Sequence, residues 1–172
     1  SRIWAVLFGI DGYSTYPLRG CVADALAVKE YLLEDLLVPK ERIQSLLGPK
    51  NHHNTSSTDV SSIPSRTNIL SLLLSLITNP NIEHGDPIVI FFAGHGSRYP
   101  LSDRDDDNEI DFDEELEDGR SHEFVEAFCP IDRDTNDSGG IPIPDISDRE
   151  LNIILSQISR TKGHRITVIL DC

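Results

Sequence analysis

The segment Pro87-Ile88-Val89-Ile90-Phe91-Phe92-Ala93-Gly94-His95-Gly96-Ser97 constrains the fold more than any other. Its apolar run, Pro87 to Phe92, is short and rich in β-branched and aromatic residues, as a fully buried strand should be. The run halts at a histidine held between two glycines, which let the backbone turn sharply and approach a ligand closely. A histidine just past the C-terminal end of such a strand stands in the usual ligand crevice of an open α/β sheet. It is also the side chain best poised for proton transfer near neutral pH. His95 is therefore the candidate general base.

The remaining segments alternate between strand and helix patterns. Ile3–Ile10 reads as a buried first strand, turned by Asp11-Gly12-Tyr13. Residues 21–37 predict a helix with Val22, Ala25, Leu26, Leu32, Leu33 and Leu36 on one face, closed by Pro39. Arg42–Leu47 is a weaker strand ending at Gly48-Pro49, followed by a polar loop over 50–62. Ser65 is placed to cap a helix running through Ile69, Leu70, Leu73, Leu74 and Ile77 to Asn79-Pro80. After the 87–92 strand come an acidic insert over 102–120 and a short strand within Glu123–Ile131. A third helix, capped by Asp148, runs through Leu151, Ile154, Leu155 and Ile158, and Arg165–Cys172 is expected to be another core strand. This order predicts an α/β fold, a mostly parallel sheet with helices on both faces. Neither common glycine-rich phosphate loop is present, which argues against a nucleotide- or flavin-binding domain of the same architecture.

With 172 residues the chain suits one domain, able to bury roughly 70% of its unfolded surface. No stretch approaches the ~20 apolar residues of a membrane span, and no signal-peptide pattern opens the sequence. Three cysteines, Cys21, Cys129 and Cys172, lack metal-ligand spacing and read as reduced thiols, so a cytoplasmic setting is expected. The net charge of −14 argues against nucleic acid and anionic membrane as partners. Residues 103–118 hold eleven acids and one arginine, so they supply −10 of that charge. The absence of methionine and the ending on a strand lead us to expect a piece of a longer chain.

In a parallel sheet the strand ends converge on one edge. The turn after the first strand, His95, Asp171-Cys172 and Asp24 in the first turn of the 21–37 helix should therefore lie near one another. Four ordered strings now amount to a resemblance. Leu18-Arg19-Gly20-Cys21-Val22-Ala23-Asp24-Ala25, Phe92-Ala93-Gly94-His95-Gly96, Phe128-Cys129-Pro130-Ile131-Asp132 and Val168-Ile169-Leu170-Asp171-Cys172 are similar to motifs of the metacaspases, in the large-subunit portion of a caspase-like domain.

The resemblance implies a caspase-like three-layer fold, truncated at its C-terminus, with residues 1–172 forming part of one peptidase domain. It implies a cysteine endopeptidase with a Cys-His dyad that cleaves polypeptides after Arg or Lys. His95 matches the family's catalytic histidine, and the Gly96 backbone amide matches an oxyanion-hole donor. Asp24 and Asp171 match the acidic pair that receives the basic side chain of the substrate. The nucleophile matches the position just after Cys172, so Cys172 falls on the variable residue before it and this chain alone should be inactive. The missing small-subunit portion of the same domain would complete it.

Two further departures concern the pocket and calcium. Ala93 stands where relatives often carry serine. No cofactor is required, but several relatives bind calcium, and of the matching positions only Asp148 is acidic, with Val125 and Arg149 at the others. A separate calcium reading comes from the insert. Asp103, Asp105, Asp107, Glu109, Asp111 and Glu114 fall at positions 1, 3, 5, 7, 9 and 12 of an EF-hand-like loop, though Asn108 replaces its glycine and a solvated acidic loop is the alternative. A catalytically inactive caspase-like binding module is the alternative to the peptidase.

Overall fold

The computed structural model describes residues 1–50, 62–100 and 124–172. The EF-hand-like positions, His52, His53, His122 and most of the two long loops lie outside the described residues.

Four parallel strands make the central sheet: β1 (Trp4–Ile10), β2 (Ile43–Gly48), β3 (Ile88–Ala93) and β7 (Ile166–Asp171), in the order β2-β1-β3-β7. Helix α1 (Cys21–Glu34) covers one face, and α2 (Arg66–Thr78) and α3 (Asp148–Lys162) cover the other. The expected three-layer α/β fold forms. Every residue of β1 is buried, so its side chains divide between the two cores by the period-2 alternation of a strand. Trp4, Val6, Phe8 and Ile10 join Ile88, Ile90 and Phe92 against α2 and α3. Ala5 and Leu7 join Phe91 and Ala93 against α1. Phe8 and Phe92 are among the largest fully buried side chains, each contributing roughly 1.5–3 kcal/mol by leaving water.

A second, antiparallel sheet extends from the end of β3: β4 (Gly96–Pro100), β5 (Phe124–Phe128) and β6 (Ile146–Ser147). The short strand expected within 123–131 is β5. Neither β4 nor β6 is visible in the sequence, because β4 is polar and largely exposed and a two-residue strand has no period to detect.

Three other expectations are corrected. The 21–37 helix ends at Glu34: Leu37 takes a left-handed backbone (φ 49°) and the Val38 amide folds back onto the Leu32 carbonyl at 2.9 Å, so that Val38 is buried while Leu36 and Leu37 face outward. The cap of α3 is Ser147, not Asp148; Ser147 and Glu150 exchange side-chain-to-backbone bonds in a capping box. β7, expected as a core strand, is the sheet's edge, with Ile169 and Leu170 43% and 50% exposed.

Helix α1 approaches β1 closely enough to exclude a side chain at Gly9. A Cβ there would lie 2.6 Å from the Cys21 carbonyl oxygen and 2.8 Å from Ala25 Cβ, a clash with the helix itself rather than with a flexible tip. Gly9→Ala should therefore destabilise the fold by about 2 kcal/mol, the scale of an overpacked core. The unfolding midpoint in urea reads this directly, and an unchanged midpoint would show that α1 is free to shift.

Candidate active site

The strand order places a switch point between β1 and β3: the connection after β1 leads outward to β2, and the one after β3 leads toward β7. The crevice beyond the carboxyl ends of two such diverging strands is where ligands bind in open α/β sheets. Tyr13 and Tyr16, in the connection after β1, and His95, after β3, meet there.

His95 is held at both of its backbone groups. Its amide donates to the Tyr13 hydroxyl oxygen at 2.9 Å, and its carbonyl accepts from the Cys129 amide at 3.0 Å. The Tyr13 hydroxyl in turn donates to the Cys129 carbonyl at 2.9 Å. Burial, first, pushes the phenol above its ordinary range, so the hydroxyl keeps the proton it donates. Gly94 makes room for this arrangement, because a Cβ there would lie 2.5 Å from the Tyr13 oxygen.

The imidazole is fixed as well. Its ring centroid lies 4.6 Å from that of Tyr13, and Nε2 lies 2.7 Å from the Tyr16 carbonyl oxygen. A carbonyl oxygen only accepts, so Nε2 carries the proton and Nδ1 is the nitrogen able to receive one. The peptide between His95 and Gly96 is trans, and its C=O and N–H point in opposite directions. With the His95 carbonyl tied to Cys129, the Gly96 N–H is aimed away from it.

The acidic residues gather on the α1 side. Asp24 lies in the first turn of α1, and Asp171 pairs in register with Ala93; both are exposed. Both act on Cys21, whose thiol is pushed up to about 11, by burial first and then by the negative charges of Asp11, Asp171 and Asp24. The same three carboxylates thus act on one point. Asp11, which the sequence shows only as part of a turn, also accepts the Cys21 amide at 3.0 Å and so anchors the start of α1.

Cys172 lies apart from the acids. Strand alternation turns Ile166 and Val168 toward the α2/α3 core, and Leu170 and Cys172 line an open, mainly apolar cleft of about 490 Å³ beside Gly96, Phe128 and Leu151. Its sulfur would lie 3.4 Å from a Cβ on Gly96. Cys129 is fully buried, as expected of a small core residue, whereas Cys21 is only half-buried. His84 and His164 are exposed. No group of three or more His, Cys, Asp or Glu side chains among the described residues is arranged to hold a metal ion. Tyr13, the Tyr16 carbonyl and Asp11 were not identified from sequence as site residues; a backbone carbonyl has no residue-type signal at all.

A mostly parallel α/β sheet flanked by helices, with a histidine at its switch point, is consistent with a domain of caspase-like class. The family model for the metacaspase, peptidase C14 domain matches residues 4–172, and the chain belongs to that family. It is 27% identical over 97% of its length to Metacaspase-3 of Arabidopsis thaliana, and 30% identical over 97% to Metacaspase-1B of Aspergillus terreus. It spans 38% and 36% of those two proteins. It is also similar in fold to the crystal structure of GSU0716 from Geobacter sulfurreducens, with a TM-score of 0.56 at 14% identity, covering 99% of this chain and 49% of that one. Among the described residues no helix is long and apolar enough to cross a membrane.

Two measurements check this geometry. Tyr13→Phe leaves the part-buried His95 amide and the buried Cys129 carbonyl without their shared partner, and should lower stability by roughly 1–3 kcal/mol in denaturant unfolding; a neutral substitution would mean the bridge is replaceable. Thiol alkylation followed by mass spectrometry should find exposed Cys172 modified at neutral pH. Cys21, with its pKa raised by burial and by the neighbouring carboxylates, should react ever faster as pH rises toward about 11, and a plateau near pH 8.5 would contradict that raised pKa.

Proposed function

We propose that the full-length protein is a cysteine endopeptidase that cleaves polypeptides after Arg or Lys, with His95 as general base. One observation carries it, the alternation of faces at the carboxyl edge of the sheet. Asp171 lies on the α1 side with Asp24 and Cys21, while Cys172 turns to the α3 side. The position after Cys172 returns to the face of Asp171. The register of β3 and β7 ends at the Ala93–Asp171 pair, and one that carried on by two residues would bring that position level with His95. A cysteine there would meet the histidine, which takes its proton at Nδ1 while Nε2 remains bonded to the Tyr16 carbonyl.

The thiolate then attacks the scissile carbonyl, and the Gly96 N–H, aimed by the fixed peptide, is suited to receive the developing oxyanion. Protonated His95 returns the proton to the leaving amine, and water hydrolyses the acyl-enzyme. Asp24 and Asp171, both solvated, would pair with the cationic side chain of the substrate, a geometry that disfavours acidic residues at that position. The apolar edge of β7 is suited to be covered by the small-subunit portion of the same domain. Cys172 is not the nucleophile in this scheme.

The test is hydrolysis of reporter peptides ending in Arg, Lys or Asp by the full-length protein. Arg and Lys reporters should be cleaved and the Asp reporter not. His95→Ala should lower kcat about a thousandfold, within the range of a lost general base. Asp24→Ala or Asp171→Ala should lower kcat/KM for the Arg reporter by roughly 10- to 100-fold, the scale of a lost charged hydrogen bond. Activity surviving His95→Ala removes the proposed base. A residue other than cysteine after Cys172 in the full-length protein turns the reading to a caspase-like binding module.

A further inference from the structure

A second polar cluster lies behind the histidine, on the small antiparallel sheet. The Asp145 side chain is only 3% exposed, yet among the described residues its Oδ2 is the meeting point of four donors, two from β4 and two from the connection after β5. Ser97 Oγ donates at 2.7 Å, and the Tyr99 hydroxyl donates to the same oxygen. Both come from the same face of β4, two residues apart. Cys129 Sγ donates at 3.6 Å, and Arg133 Nη2 forms an ion pair at 3.2 Å. Burial, first, and the bond to Asp145 push the Tyr99 phenol up, and burial together with the Asp145 charge pushes the Cys129 thiol up to about 11. These groups therefore stay protonated and donate.

The cluster encloses the His95 turn. Ser97 is two residues after His95, and Cys129 is the residue whose amide and carbonyl bind His95 and Tyr13. Asp145 thus ties down the 95–97 turn through Ser97 and through Cys129. The arrangement is not what stability alone would favour, because among the described residues the buried Asp145 Oδ1 and Arg133 Nε have no hydrogen-bond partner.

We propose that Asp145 is a positioning residue: it holds β4 and Cys129 so that the His95 imidazole and the Gly96 N–H keep one orientation. This rests on the peptidase reading for its consequence in catalysis, but the mechanical part stands on the geometry alone. Asp145 does not reach the reacting atoms. Removing it should loosen the turn and misalign the proton acceptor and oxyanion donor, while the acids that receive the substrate's basic side chain, on the α1 side, are untouched.

The experiment is hydrogen exchange by mass spectrometry on full-length wild-type and Asp145→Asn protein, alongside kinetics on the Arg reporter. Exchange across residues 94–98 should accelerate at least tenfold, with β1 and α2 unchanged, and kcat should fall about tenfold with KM within twofold. Tyr99→Phe removes one donor at a partly exposed position without unpairing the carboxylate, and should accelerate the same segment about threefold. It keeps the question open to test if Asp145→Asn fails to fold. Unchanged exchange at 94–98 in both variants, or acceleration spread evenly over the domain, overturns the positioning role. A wild-type protein inert on every reporter, with the turn loosened locally by the substitutions, sinks the peptidase reading and leaves the anchoring in place.

Discussion

The Tyr13 hydroxyl joins three connections that would otherwise be independent. It accepts the amide of His95 from the turn after β3, donates to the carbonyl of Cys129 after β5, and belongs to the connection after β1. Because it is buried, water cannot substitute for either bond, and the loss of one would leave a polar backbone group unsatisfied. That oxygen ties the main sheet to the small sheet at this edge, alongside the stacked Phe92 and Phe128 rings and the Cys129 amide on the His95 carbonyl. So does the setting of His95, whose ring lies against the Tyr13 ring and whose Nε2 is bonded a few residues further along the same connection.

From that anchor, elementary strand geometry does much of the rest. Side chains alternate along β3 and β7, and the registers of the two strands are locked by parallel pairing. A histidine after β3 and an aspartate at the end of β7 are therefore delivered to a common edge, and the residue between Asp171 and any residue that follows Cys172 is forced to the opposite face. The carboxylates on the α1 side are brought together by a different device, the start of α1, where Asp11 holds the Cys21 amide and Asp24 sits one turn in. Backbone bonds position the imidazole, and helix and strand ends position the acids.

The layered fold was legible because its strands are long apolar runs bounded by turn residues, and because the burial of β1 and β3 is nearly complete. The helix cap at Ser65 was legible for the same local reason, a hydroxyl placed three residues before a waiting amide. Where competing local signals existed the reading erred by one residue or one turn. Asp148 and Ser147 are both good caps, and only the reciprocal bond of Glu150 decides between them. Leu36 and Leu37 continue the helical apolar pattern, but burying Val38 wins. His95, Asp24 and Asp171 could be named as candidates from motif and position. Tyr13, the Tyr16 carbonyl, Asp11 and the Asp145 cluster could not, since each acts through a pairing between segments distant in sequence or through the backbone.

The central claim is that the Tyr16 carbonyl fixes one tautomer of His95 and leaves Nδ1 to accept a proton. Nitrogen-15 NMR of the imidazole in the full-length protein, at a pH where the ring is neutral, measures this most directly. The account predicts a protonated Nε2 and an unprotonated Nδ1. A proton on Nδ1, or rapid averaging between the two nitrogens, would contradict it.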